Sequence, residues 1–243
     1  MRAGRHEEMI VSANQWSSSA KVDLVRRTLG NPVEGGELGV VLAIAGVGKT
    51  ACLTHIALEH LLAGMPVLHV SIGSTPEKVK VWYQEFLKNL APFQPQEETA
   101  GMGQEIERRR FILSYVPDAF SVEKLEQNLQ NLETQANFHP TVMVLDGLDF
   151  DQLPRSTVED LKAFAKRRGI FIWMSARMHR HISDVNANGV PYPCDKMDDL
   201  FRAILFIEPS SEGRLDVKVL KQGDEYKRGA SVLSLNAQTF LIA

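Results

Sequence analysis

Cysteine is scarce in this 243-residue chain: Cys52 and Cys194 are the only two, far apart and in no metal-binding spacing, so a disulfide framework and a cysteine-built zinc site are both excluded. No stretch approaches the roughly 20 consecutive apolar residues of a membrane helix. The polar start from Met1 to Trp16 holds no apolar leader core, so a cytoplasmic protein that stays out of the membrane is expected. Aromatic residues make up only 7%, and none interleave with a basic tract, so the stacking surface of a single-strand binder is missing. An excess of one charge is missing too. Lys and Arg number 27 against 30 Asp and Glu, a net charge of −3, which excludes coating of nucleic acid through bulk charge and leaves only a local basic strip for that role.

Hydrophobic residues at 44% and charged residues at 23% are ordinary globular usage, and the length suits one large α/β domain with a short appendage. Residues 1–18 lack periodicity and read as an arm, followed by a short amphipathic helix from Ala20 to Leu29 that ends at Gly30. The division is therefore 1–30 for arm and helix and 31–243 for the main domain. There the rhythm alternates. Strands are expected at Glu37–Ala45, Pro66–Ile72, Phe111–Val116, Thr141–Leu145 and Ile170–Ser175. Helices are expected at Thr50–Leu62, from Pro76 with Thr75 as its cap to Leu90, at Ser121–Ala136, and behind a capping box of Ser156 and Glu159 up to Gly169. Ala91–Gly103, with Pro92 and Pro95, reads as a mobile excursion, and Met178–Lys196 as a long surface loop. Ala203–Ile207, Leu215–Leu220 and Ser231–Ile242 read as antiparallel strands added at one side. Such alternation calls for a mainly parallel sheet flanked by helices, with functional loops at the carboxyl ends of its strands.

One of those loops carries the decisive pattern. Ala43, Ile44, Ala45, Gly46, Val47, Gly48, Lys49 and Thr50 lie between a buried strand and a helix. Glycines at 46 and 48 let backbone N–H groups converge on phosphate oxygens without a Cβ in the way. The helix beginning near Lys49 adds its positive end, Lys49 is placed for the β- and γ-phosphates, and the Thr50 hydroxyl for magnesium. ATP with Mg²⁺ is the expected ligand pair, contacted by Ala43, Ala45 to Thr50 and Ala51. Ala43 departs from the usual glycine at the first position and is tolerable there if its φ stays negative. Downstream, the strand Val142–Leu145 ends in Asp146, the layout of a carboxylate that holds magnesium together with the loop threonine. Asp149 and Asp151 read as solvated loop residues.

The order of parts from about Gly35 onward resembles the RecA superfamily, especially its DnaB-like and KaiC-like branches. The resemblance is carried by Gly35, Gly36, Glu37 and Leu38 leading into strand and loop, by Phe111–Leu145 with Pro117 between strand and helix, and by the closing stretches Val217–Lys221 and Ser231–Leu235. It implies a RecA-like P-loop fold and an ATP site at the rim of the sheet, often completed by a neighbouring subunit in a ring or filament. Several positions depart from the pattern. Where the resemblance implies a water-orienting glutamate after the second strand, Ser71 and Ile72 are followed by Gly73. Glu77, one helical turn on, either substitutes or complements its helix dipole. Arg177 stands near the place of a polar sensor residue and either stabilises a γ-phosphate or pairs with a carboxylate. Where the KaiC-like branch has a Lys-x-Arg finger, this chain reads Lys221, Gln222, Gly223, with Lys227 and Arg228 nearby.

Lys49, Asp146, Glu77 and Arg177 are thus the candidate catalytic residues, and Thr50 and Asp146 the metal pair. The expectation is a slow ATPase that uses bound nucleotide to control conformation or assembly. A non-hydrolysing ATP module and a motor stimulated by nucleic acid are the rival readings. A GTPase is disfavoured because no Asn-Lys-x-Asp occurs, and a small-molecule kinase because no arginine-rich lid is evident. His179, Arg180 and His181 beside Arg177 form a basic cluster that reads as a solvated loop tip. Arg108–Arg110 and Lys166–Arg168 read as helix-end cations, Trp82, Tyr83 and Phe86 as core contacts, with a partner-facing role the alternative for Trp82, and His55, His60 and His69 as structural.

Overall fold

The computed structural model describes residues 21–30, 34–94, 96–179, 184–210, 213–227 and 231–243. The arm expected at residues 1–18 lies outside them, as do Arg180, His181 and Arg228. Among the described residues the helix expected to end at Leu29 forms as α1 (Leu24–Leu29) and stops at Gly30 with φ 76°.

The apolar run after Glu37 forms β1 (Leu38–Ile44), and it is apolar throughout because both of its faces are covered. Val41 and Ala43 point into one core, Leu38, Val40 and Leu42 into another. Next come α2 (Lys49–Leu62), β2 (Val67–Ile72) and α3 (Pro76–Leu90), whose cap Thr75 accepts a hydrogen bond from the Lys78 N–H. Helix α2 is buried on nearly every side, between the sheet and α1, α3 and the C-terminus, which explains its weak amphipathicity.

The segment read as a mobile excursion is instead α4 (Gln96–Arg109), preceded by a 3₁₀ turn at Ala91–Phe93. Two interior glycines cost about 1 kcal/mol each in a helix. Burial of Met102 and Ile106, one turn apart on the face toward α2, contributes about 1.5–3 kcal/mol each and outweighs them. Arg110, expected at a helix end, opens β3 (Arg110–Tyr115), and its buried guanidinium lies 4.2 Å from the centre of the Tyr83 ring.

Ser121 caps α5 (Val122–Ala136), and β4 (Val142–Asp146) leads to α6 (Arg155–Arg168). The expected capping box does not form. Pro154 occupies the cap position without a side-chain bond, and Glu159 pairs with Arg155 at 2.8 Å, which also grips Asp199. Strand β5 (Phe171–Met178) runs longer than expected. Beyond it, the stretch read as a surface loop turns inward among the described residues: Val190 and Cys194 are buried, and Val185 bridges to Pro191.

The sheet closes with β6 (Ala203–Pro209), β7 (Arg214–Gln222), β8 (Glu225–Tyr226) and β9 (Ser231–Asn236). Its order is β3-β2-β4-β5-β1-β6-β7-β8, with β9 also on β7. Contrary to expectation β6 runs parallel to β1, because the long connection after β5 returns the chain past β1 before the next strand begins. Among the described residues only β7, β8 and β9 are antiparallel additions. The last strand is also shorter than expected. After Asn236 the chain turns, and Ile242 pairs back with Leu235.

Helices α1 to α4 cover one face, α5 and α6 the other, so the protein is α/β with a mostly parallel, helix-flanked sheet. The carboxyl ends of β1, β5 and β4 consequently share one rim, with β5 in the middle. Among the described residues no helix is long and apolar enough to cross a membrane.

Candidate functional site

The loop after β1 is bent at two glycines, Gly46 with φ 83° and Gly48 with φ 97°, in the left-handed region that side chains with a Cβ avoid. Val47 between them is buried and pins the loop to the core. Ala43 is a β1 residue paired with Arg177 on one side and Ile207 on the other, and it lacks a positive φ, so alanine costs nothing there. The N–H groups of Gly48, Lys49, Thr50 and Ala51 find no acceptor among the described residues, as at the open N-terminus of a helix. They aim partial positive charge at the space above the loop.

Lys49 supplies full charge. Its Nζ rests against the carbonyl oxygens of Ala43 and Ile44 at 3.4 Å each, long contacts that an anion can displace. Burial draws the ammonium below the ordinary lysine range, the Asp146 carboxylate raises it again, and Arg177 adds to the lowering. Thr50 Oγ1 donates to Asp146 Oδ2 at 2.6 Å, while Ser175 Oγ from β5 donates to the other carboxylate oxygen. Asp146 is thereby held from both sides.

This donor set suits magnesium. A hard divalent cation takes oxygen ligands and, at a phosphate site, needs only one or two from protein, the rest coming from phosphates and water. The adjacent Thr50 hydroxyl and Asp146 carboxylate meet that need. Among the described residues no group of three or more His, Cys, Asp or Glu gathers to hold a metal by itself.

The other expected residues divide. Glu77 is fully exposed, and hydrogen bonds to its own N–H and to Thr75 hold its carboxyl below the usual range, the dipole-complementing role. Gly73, with φ 84°, closes β2 through a bond to the Tyr115 carbonyl and presents no side chain to the rim. Arg177 reaches Asp151 at 3.4 Å, and His179 Nε2 lies 2.6 Å from the same carboxylate, so Asp151, exposed as expected of a loop residue, is also paired. Lys221 is buried, with Nζ donating to the Asp198 carbonyl at 2.8 Å and lying over the Tyr226 ring, which directs it into its own chain. Lys227 donates to Gln222 near Gly223, whose φ is 64°.

Sequence reasoning missed Ser175 and Phe240. Ser175 was visible as the polar residue that interrupts an apolar strand run just before Arg177. Phe240 gave no signal. Its ring packs on the Cα of Gly48, where any Cβ would overlap it. Its φ of 56° is a left-handed conformation that costs a bulky residue about 1–3 kcal/mol. Two bonds hold it: the Phe240 N–H donates to Asn236 O at 2.8 Å, and His55 Nδ1 donates to the Phe240 carbonyl at 2.8 Å.

A cavity of about 420 Å³ opens beyond Gly147 between α5 and α6. Carboxylates of Asp118, Glu123, Asp149 and Asp160 line it, with no cationic side chain among the described residues, so it repels phosphate, and the glycine loop is the better anion site. A scan against protein-family models finds no match for the chain, and a search of curated proteins likewise finds none.

Proposed function

We propose that this protein is a RecA-like P-loop nucleotide-binding protein that takes ATP with magnesium at Ala43–Thr50, hydrolyses it slowly, and uses the bound state to set its conformation or assembly. The observation that carries this reading is the convergence on one rim of the N–H groups of Gly48 to Ala51, the Lys49 ammonium, and the Thr50–Asp146 oxygen pair. Charge, donors and a hard-metal ligand set are what a triphosphate demands.

Lys49 would neutralise the β- and γ-phosphates, and the Gly48–Ala51 amides would cradle them. Thr50 and Asp146 would hold magnesium, whose role when bound is to offset charge on the phosphate oxygens. Ser175 keeps Asp146 turned toward Thr50. Water would attack in line, with no side chain at Gly73 to orient it and with Glu77 turned to its own helix, which is why turnover is slow.

Lys221 favours a second reading, an ATP module that keeps its ligand intact. With its ammonium spent inside its own chain, Lys221 is not a finger for a neighbour's γ-phosphate, and in a ring or filament that place falls to Lys227. Nucleic acid is not favoured as a partner.

Phosphate release from the purified protein with ATP and magnesium separates the two. A slow release that falls to background in Lys49→Ala supports the ATPase. Lys49-dependent ATP binding with no Lys49-dependent release establishes the module instead.

A further inference from the structure

Beside the glycine loop lies an aromatic corner that the phosphate chemistry leaves unused. Phe240 rests on Gly48, and the Trp82 ring of α3 stands 6.3 Å from it, centre to centre, at 87°. Tyr83 and Phe86 of the same helix are buried in the core, whereas Trp82 remains 36% exposed. A large aromatic side chain half open to solvent, one ring away from a phosphate-binding turn, is placed for a flat ligand. We propose that Trp82 and Phe240 receive the base of the bound nucleotide, one ring stacking on its face and the other meeting its edge.

The proposal rests on the nucleotide reading and adds the determinant of base binding. Three observations bear on it together. Gly48 ties the corner to the glycine loop, because the Phe240 ring occupies the space its missing Cβ leaves, so the ring abuts the turn that would hold the phosphates. The Phe240 backbone is held in its left-handed conformation by the fully buried His55 and by a turn whose Asn236 side chain accepts from the N–H groups of Gln238 and Thr239. A costly conformation secured this heavily fixes where the ring points. The perpendicular walls, finally, match the way aromatic systems prefer to meet, by offset stacking and edge-to-face contact. Stacking of this kind supplies affinity with weak discrimination among bases, in keeping with a chain that has no Asn-Lys-x-Asp.

The test compares ATP with inorganic tripolyphosphate, each with magnesium, by calorimetric titration of the full chain. The proposal expects ATP to bind wild type about tenfold or more tightly than tripolyphosphate. Trp82→Ala should remove about that factor for ATP and leave tripolyphosphate unchanged, and Trp82→Phe should restore most of it. Phe240→Leu should weaken ATP in the same selective way. Equal loss of both ligands in Trp82→Ala, no loss of ATP, or tighter ATP binding in Phe240→Leu overturns the proposal. If tripolyphosphate binds through Lys49 but ATP gains nothing from its base, the phosphate reading stands and the aromatic site falls. If neither ligand binds wild type, both fall.

Discussion

Gly147→Ala is expected to destabilise the protein by about 3 kcal/mol or more and to disable the rim. Gly147 follows Asp146 directly, has φ 97°, and a Cβ there would overlap the carbonyl oxygen of Ile72 at the end of β2. Two costs combine. A left-handed backbone at a residue with a side chain costs about 1–3 kcal/mol. Relieving the overlap adds about 1–3 kcal/mol, because the obstacle is backbone of a central strand and cannot rotate away as a side chain would. The shift is transmitted to Asp146, which stops facing Thr50. Gly46→Ala is the contrasting variant: φ 83° imposes the conformational strain, but nothing lies within 4 Å of the new methyl group. Urea unfolding should therefore show Gly147→Ala losing at least twice the stability that Gly46→Ala loses, and equal losses would contradict the account.

Acid should unfold the protein early, between pH 6.5 and 4. His55, His60 and His69 are buried, and burial pulls each from 6.5 down to about 4. Their ring nitrogens explain why protonation is resisted. The Nε2 atoms of all three are buried without a partner among the described residues, while His55 Nδ1 is committed to Phe240 and His69 Nδ1 to the Tyr83 hydroxyl at 2.9 Å. Because the folded values lie below the unfolded one, the unfolded chain gains more protons as pH falls. Stability is then complete above pH 6.5 and drains away toward pH 4, by about 3 kcal/mol per histidine at most. Glu59 works in the opposite sense. Burial raises it to about 7 against the N–H groups of Val25 and Arg26, so it returns part of the loss between pH 7 and 4.5. One group against three leaves a net destabilisation of several kcal/mol, a large share of the 5–15 kcal/mol typical of a domain. The melting temperature should drop steeply from pH 7.5 to pH 5, and His60→Leu should flatten that drop. A melting temperature unchanged across this range would refute the argument.

Much of the sheet was legible because its strands are covered on both faces and therefore written as uninterrupted apolar runs. Thr75 and Ser121 announced their helices through local cap chemistry that needs no tertiary partner. The glycine loop and Asp146 were legible for a related reason, since each is tied to the end of such a run. What escaped depended on distant parts of the chain. Helix α4 exists because Met102 and Ile106 find α2, and its glycines argued the other way. The parallel direction of β6 follows from a crossing that no local pattern encodes. The burial of Lys221 and the pairing of Asp151 with Arg177 and His179 join residues that share no periodicity. The contact of Phe240 with Gly48 spans most of the chain's length.

Nucleotide held in the loop would engage its backbone N–H groups, and amide hydrogen exchange observes them directly. With ATP and magnesium present, exchange at Gly48, Lys49, Thr50 and Ala51 should slow markedly in the wild-type protein while distant surface amides stay as they were. Unchanged exchange at those four positions in millimolar ATP and magnesium would contradict the account.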